Sequence, residues 1–176
     1  MLTNGYHTLQ DQDNVDVIER NGPIKCETQA AWLGHGYYFW DADINWGHSF
    51  GRSRYGEEYM IFEAEIVLNN ETYDLYGNVT HKLEFKALWE ELRENGHFEP
   101  GEEITVPKLI EYLKKHVGFS YNSIRAADNP DRQSVLSFGG RKGEFMYLNE
   151  RVQICLVTKK NLSLQSFRVV YPDKYL

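Results

Sequence analysis

The spacing of apolar residues changes several times along the chain, and each change predicts an element. Val15 and Ile18 fall three apart within residues 14–20, one helical face, with Asp13 placed to cap the helix and Asn21-Gly22-Pro23 to end it. Before it lies a short segment closing on Tyr6-His7-Thr8. Residues 32–40 run from a glycine loop into an aromatic strand, and Asp41 is placed to cap a helix reaching about Ser49. Residues 58–68 alternate apolar and acidic side chains closely enough to predict a strand. Two amphipathic helices follow. Phe85, Leu88, Trp89 and Leu92 make the buried face of the first; Val106, Leu109, Ile110, Leu113 and Val117 make that of the second. The last third predicts strands over 134–138, 145–148, 151–157 and 167–170, broken by Gly139-Gly140, Asn149-Glu150 and Lys159-Lys160-Asn161.

Helices early and in the middle, with strands gathered at both ends, predict an α+β fold around a mostly antiparallel sheet. A length of 176 residues suits a single domain, 1–176, with one core. A composition of 41% hydrophobic and 26% charged residues is ordinary for a globular chain, but 12 Tyr, 9 Phe and 4 Trp make it rich in flat faces that suit flat ligands. A net charge of −7 speaks against non-specific binding to nucleic acid, which needs Lys and Arg to displace counterions.

Cys26 and Cys155 lie far apart with no ligand spacing around them, and His35, His48, His81, His97 and His116 do not group, so neither a metal site nor a disulfide framework is expected. No basic region precedes an apolar run at Met1–Tyr6, and no stretch approaches a membrane span. The chain is therefore expected to be cytoplasmic, without membrane association.

The segment Gly34-His35-Gly36-Tyr37-Tyr38-Phe39-Trp40-Asp41 carries the most chemical information. Two glycines one residue apart allow a tight turn with exposed backbone N–H groups, and the strand that follows aligns alternate aromatic rings on one face. A core strand behind an ordinary turn has the same pattern. What distinguishes the two is the company the motif keeps.

This run resembles the Gly-x-Gly-x-Tyr-Phe-x-Asp motif of the poly-ADP-ribose polymerase and diphtheria-toxin-like branch of NAD-dependent ADP-ribosyltransferases, the His-Tyr-Glu type. Tyr6-His7-Thr8 resembles that family's His-Gly-Ser or His-Gly-Thr strand, with Thr8 in the place of the glycine, and Asn149-Glu150-Arg151-Val152 resembles the late strand entered through a glutamate. The similarity covers roughly residues 3–50 and 134–157. It implies an ADP-ribosyltransferase-like split antiparallel β-sheet with flanking helices.

On that resemblance NAD is the substrate, and no metal is needed. His7 binds the adenosine ribose, Tyr38 stacks on nicotinamide, and backbone groups at Thr8 and Gly36 line the slot. Either Trp46 or Phe50 forms its far wall. Glu150 accepts from the ribose 2′-hydroxyl and stabilises an oxocarbenium-like transition state. Arg141 and Lys142 fall in a loop, 139–144, that would read the acceptor, although a solvated hairpin turn has the same composition. Leu148, two residues before Glu150, disfavours arginine as that acceptor.

The activity implied is mono-ADP-ribosyl transfer to a macromolecular acceptor, protein or nucleic acid. A small transferase of this kind resembles bacterial or phage toxins and effectors, which would bring an antitoxin or immunity protein as partner. Three alternatives stay open: a catalytically inactive ADP-ribosyltransferase-like binding module, which the missing glycine after His7 favours; an RNA 2′-phosphotransferase-like enzyme, which the few basic residues near the motifs disfavour; and an unrelated α+β enzyme or binding domain whose aromatic strand is only core.

Overall fold

The computed structural model describes residues 1–98, 102–128, 134–137 and 145–176. Its centre is a seven-stranded sheet built from β1 (Leu2–Gln10), β2 (Tyr37–Asp41), β3 (Tyr59–Val67), β4 (Thr72–Asp74), β5 (Ser123–Ala127), β8 (Val152–Leu156) and β9 (Arg168–Tyr171). Their order is β4-β5-β8-β2-β1-β3-β9, and a separate hairpin joins β6 (Ser134–Ser137) to β7 (Phe145–Asn149). Only the β4–β5 pair is parallel among the described residues. Among the described residues four α-helices accompany the sheet: α1 (Val15–Asn21), α2 (Ile44–Tyr55), α3 (Val79–Glu94) and α4 (Val106–Tyr112), the last running into a π-helical turn, Leu113–Val117. The α+β class and the mostly antiparallel sheet agree with the sequence reading.

The sheet opens at its centre. β1 and β3 pair along their whole length, from Leu2↔Val67 to Gln10↔Tyr59, whereas β1 and β2 pair only at Gly5↔Asp41 and Tyr6↔Trp40. Beyond Tyr6 the two strands separate, and the side chains there must replace the missing backbone ladder.

Strand alternation sorts the remaining residues onto two faces. Phe39, Asp41, Arg125 and Ile154 share one face, whose core continues through Phe62, Ile66, Leu156 and Phe167 with Ile18 of α1. Tyr38, Trp40, Gln153 and Cys155 share the other. There α2 packs on β1, β2 and β3, while Ile110 of α4 joins Leu33, Tyr73 and Ile124 in a second core. Gly51 lets α2 lie close, because a Cβ there would stand 2.3 Å from the Tyr59 ring.

Two expected caps fall elsewhere. Asp13 has a φ of 53° and precedes Asn14, the α1 N-cap, which makes no side-chain cap bond. Asp41 ends β2, and Asp43 caps α2 by accepting from the Asn45 N–H at 2.9 Å. The reason is competition: the buried Asp41 carboxylate already takes the Thr3 hydroxyl at 2.6 Å and the Arg125 guanidinium at 2.6 Å.

Candidate functional site

Where β1 and β2 part, His7 fills the gap. Its Nδ1 lies 2.8 Å from the Tyr38 carbonyl and its Nε2 lies 3.3 Å from the Ile24 N–H. A carbonyl only accepts and an amide N–H only donates, so the ring is the neutral Nδ1–H tautomer. Burial drives the imidazole pKa down from 6.5 to about 4, against the raising effect of the Tyr38 bond. His7 therefore ties β1, β2 and the segment after α1 together, and both of its nitrogens are engaged.

Tyr38 is held as firmly. Its hydroxyl donates to the Gly34 carbonyl at 2.7 Å and accepts from the Leu33 N–H at 2.9 Å, and burial raises its pKa well above the ordinary phenol value. The glycine loop thus closes on the strand it introduces. Gly36 is required for close approach, since a Cβ would lie 2.5 Å from Cys155 Sγ and 2.6 Å from the Leu156 carbonyl oxygen. Cys155 itself is buried, its thiol pushed up to about 12 by desolvation, which makes it an inert core residue.

A cavity of about 610 Å³ opens between α2 and the segment from Ile24 to Trp32, over β1, β2 and β8. His7, Thr8, Tyr38 and Phe50 all line it. Of the two aromatics considered for the far wall, Phe50 belongs to the lining, with its ring 5.9 Å from that of Trp40. Trp46 stands behind, 5.7 Å from the Arg151 guanidinium. Arg141 and Lys142 lie outside the described residues. Gly36 supports the loop without lining the cavity.

Glu150 is placed apart from these residues. Its carboxylate accepts from the Tyr76 hydroxyl, and the Tyr76 ring carries the Arg125 guanidinium at 4.6 Å. Arg125 in turn binds Asp41 and reaches Asp74 at 3.5 Å. That network belongs to the sheet face of Asp41 and Ile154, opposite Tyr38. From β8 the residues that line the cavity are Gln153 and, just before the strand, Arg151.

Sequence reading missed both, along with Trp32, Trp40 and Asp128. The signal was available in the register: counting alternate residues back from the apolar run of β8 puts Gln153 and Arg151 on the side that Tyr38 and Trp40 occupy. Arg151 pairs with Asp128 at 2.8 Å and sits 5.2 Å from the Trp40 ring. Gln153, only 8% exposed, accepts the Trp32 indole N–H at 2.9 Å. Lys25 and Arg54 add positive charge to the lining, and Asp128 is its single carboxylate among the described residues.

Among the described residues no group of three or more His, Cys, Asp or Glu is arranged to hold a metal ion, and no helix is long and apolar enough to cross a membrane. The chain matches no family model, no curated protein and no solved structure.

Proposed function

We propose that this chain binds NAD in the 610 Å³ cavity and is a mono-ADP-ribosyltransferase, passing ADP-ribose to a macromolecular acceptor. The observation that carries this reading is the convergence of His7, Thr8, Tyr38 and Phe50, from three separate stretches of chain, on one cavity at the point where the antiparallel sheet splits. A volume of that order suits a dinucleotide-sized ligand. The aromatic rings offer stacking surfaces, and Arg54 offers charge to a pyrophosphate, while Lys25 is paired with Glu27 at 2.8 Å. In the transfer itself, the bond from nicotinamide to ribose breaks with its electron pair going to nicotinamide. An acceptor oxygen or nitrogen bonds to the ribose carbon and gives up its proton. A carboxylate near the ring would stabilise the positive charge developing there.

One observation favours a second reading, an NAD-binding module that transfers nothing. The β8 side chain within the cavity is an amide, Gln153, while the Glu150 carboxylate is engaged with Tyr76 on the other face. Thermal unfolding with millimolar NAD, combined with an assay for nicotinamide release, separates the readings. Ligand at about 100 times its Kd stabilises the fold by roughly 2.7 kcal/mol, a shift of several degrees. A shift together with nicotinamide release supports the transferase, whether or not Glu150→Gln abolishes that release. A shift without release supports the binding module, and no shift overturns both.

A further inference from the structure

The inner surface of the cavity has a hydrogen-bonding polarity that selects its ligand. Trp32 Nε1 is a donor only, so the 2.9 Å contact fixes the Gln153 amide with Oε1 toward the indole. The amide nitrogen is thereby turned the other way. Gln153 is 8% exposed and lines the cavity, and among the described residues its Nε2 has no partner. Its two N–H donors are left for water or for a ligand acceptor in the cavity.

Charge decides which acceptor fits. Arg151, two residues before Gln153 on the same face, has its guanidinium paired with Asp128 at 2.8 Å, so that pair adds no net charge. Beside Gln153 an anionic group would lose its hydration next to a cation already offset by Asp128, whereas a neutral carbonyl would lose little; among the described residues the unpaired charge of the lining, Arg54, is carried on α2. The walls are flat indoles, Trp32 and Trp40. We propose that Gln153, oriented by Trp32, is a specificity-determining residue that donates to the carbonyl oxygen of a neutral, planar carboxamide. Resting on the NAD reading, that group is the nicotinamide carboxamide.

Ligand-observed NMR with nicotinamide and nicotinate, and calorimetry with NAD and ADP-ribose, test this on the full chain. Nicotinamide should bind about tenfold more tightly than nicotinate, the equivalent of 1.4 kcal/mol. Gln153→Glu keeps an acceptor for Trp32 but presents an anionic oxygen to the ligand. It should weaken NAD and nicotinamide by about tenfold or more and leave ADP-ribose, which lacks the carboxamide, within about twofold. Trp32→Phe, which frees the amide to rotate, should produce a smaller loss in the same ligands and serves as the readout if Gln153→Glu fails to fold.

Equal binding of nicotinamide and nicotinate, unchanged nicotinamide affinity in Gln153→Glu and Trp32→Phe, or no nicotinamide binding by the wild type would each overturn the proposal. Failure of the NAD reading looks different. There NAD and ADP-ribose do not bind, while the preference for nicotinamide over nicotinate and its loss on substitution persist.

Discussion

His7 Nδ1 and the Tyr38 carbonyl oxygen are 2.8 Å apart, a side chain completing the hydrogen-bond ladder that β1 and β2 abandon after Tyr6↔Trp40. The bond joins the two strands whose separation creates the cavity. Because the ring is buried and neutral, this joint is sensitive to acid.

The sign follows from proton uptake. With a folded pKa of about 4 and an ordinary value of 6.5, the unfolded chain binds more protons than the folded one between those limits, so stability falls as pH falls through that window. Across the full interval the loss attributable to His7 is about 3 kcal/mol. Urea denaturation at pH 7.5 and pH 5 should show about 2 kcal/mol of it, the share between pH 6.5 and 5, and the pH dependence should be reduced in His7→Gln. Equal pH dependence in both proteins would show that other groups carry the effect.

Gly36→Ala is expected to destabilise without touching the cavity lining. The added methyl would meet Cys155 Sγ at 2.5 Å and the Leu156 carbonyl at 2.6 Å, and a backbone oxygen in a central strand cannot move aside cheaply. Overpacking of this kind costs about 1–3 kcal/mol. A lowered denaturation midpoint with NAD affinity retained in the folded fraction would confirm that this glycine serves β2–β8 packing. Full stability with lost NAD affinity would instead assign it to the ligand.

Much of this was legible in the sequence. Helical spacing located α1, α3 and α4, whose inward residues include Ile18, Leu92, Leu109 and Ile110, and the apolar and acidic pattern located β3, although Tyr59–Phe62 is buried on both faces and Val117 is exposed. β4 and β5 were not legible: Thr72–Asp74 is three residues long, and Ser-Ile-Arg-Ala-Ala in β5 has an arginine where a core strand would show an apolar residue. That arginine is Arg125, whose partner Asp41 comes from 84 positions away, and the same distant pairing took Asp41 from its expected role as a cap. The cavity was half legible for a related reason. His7, Thr8, Tyr38 and Phe50 stand in motifs, whereas the placing of Gln153 and Glu150 on opposite faces depends on a sheet register fixed by residues in another third of the chain.

The two aspartates at the start of α2 should respond differently. Asp41 is buried against Arg125, whose side chain is only 13% exposed, so Asp41→Ala leaves the guanidinium with the weaker Asp74 contact at 3.5 Å and the Tyr76 ring. The cost of breaking such a pair is about 3–5 kcal/mol. Asp43→Ala removes only an N-cap, worth about 1 kcal/mol. Chemical denaturation of the two variants side by side checks the assignment, and equal losses would place the cap at Asp41 after all.

Tyr38→Phe separates the scaffold role of this residue from its role toward a ligand. The phenol ring remains to stack, but the hydroxyl that joins Leu33 N–H to the Gly34 carbonyl is gone. Leaving two partly buried backbone groups without that partner costs about 1–3 kcal/mol. The expected result is a lower unfolding temperature in the absence of ligand with an NAD-induced shift close to that of the wild type. Tyr38→Ala, which also removes the ring, should lose both. If Tyr38→Phe kept full stability and lost the NAD shift, the hydroxyl would be a ligand contact and the loop would be held by other bonds.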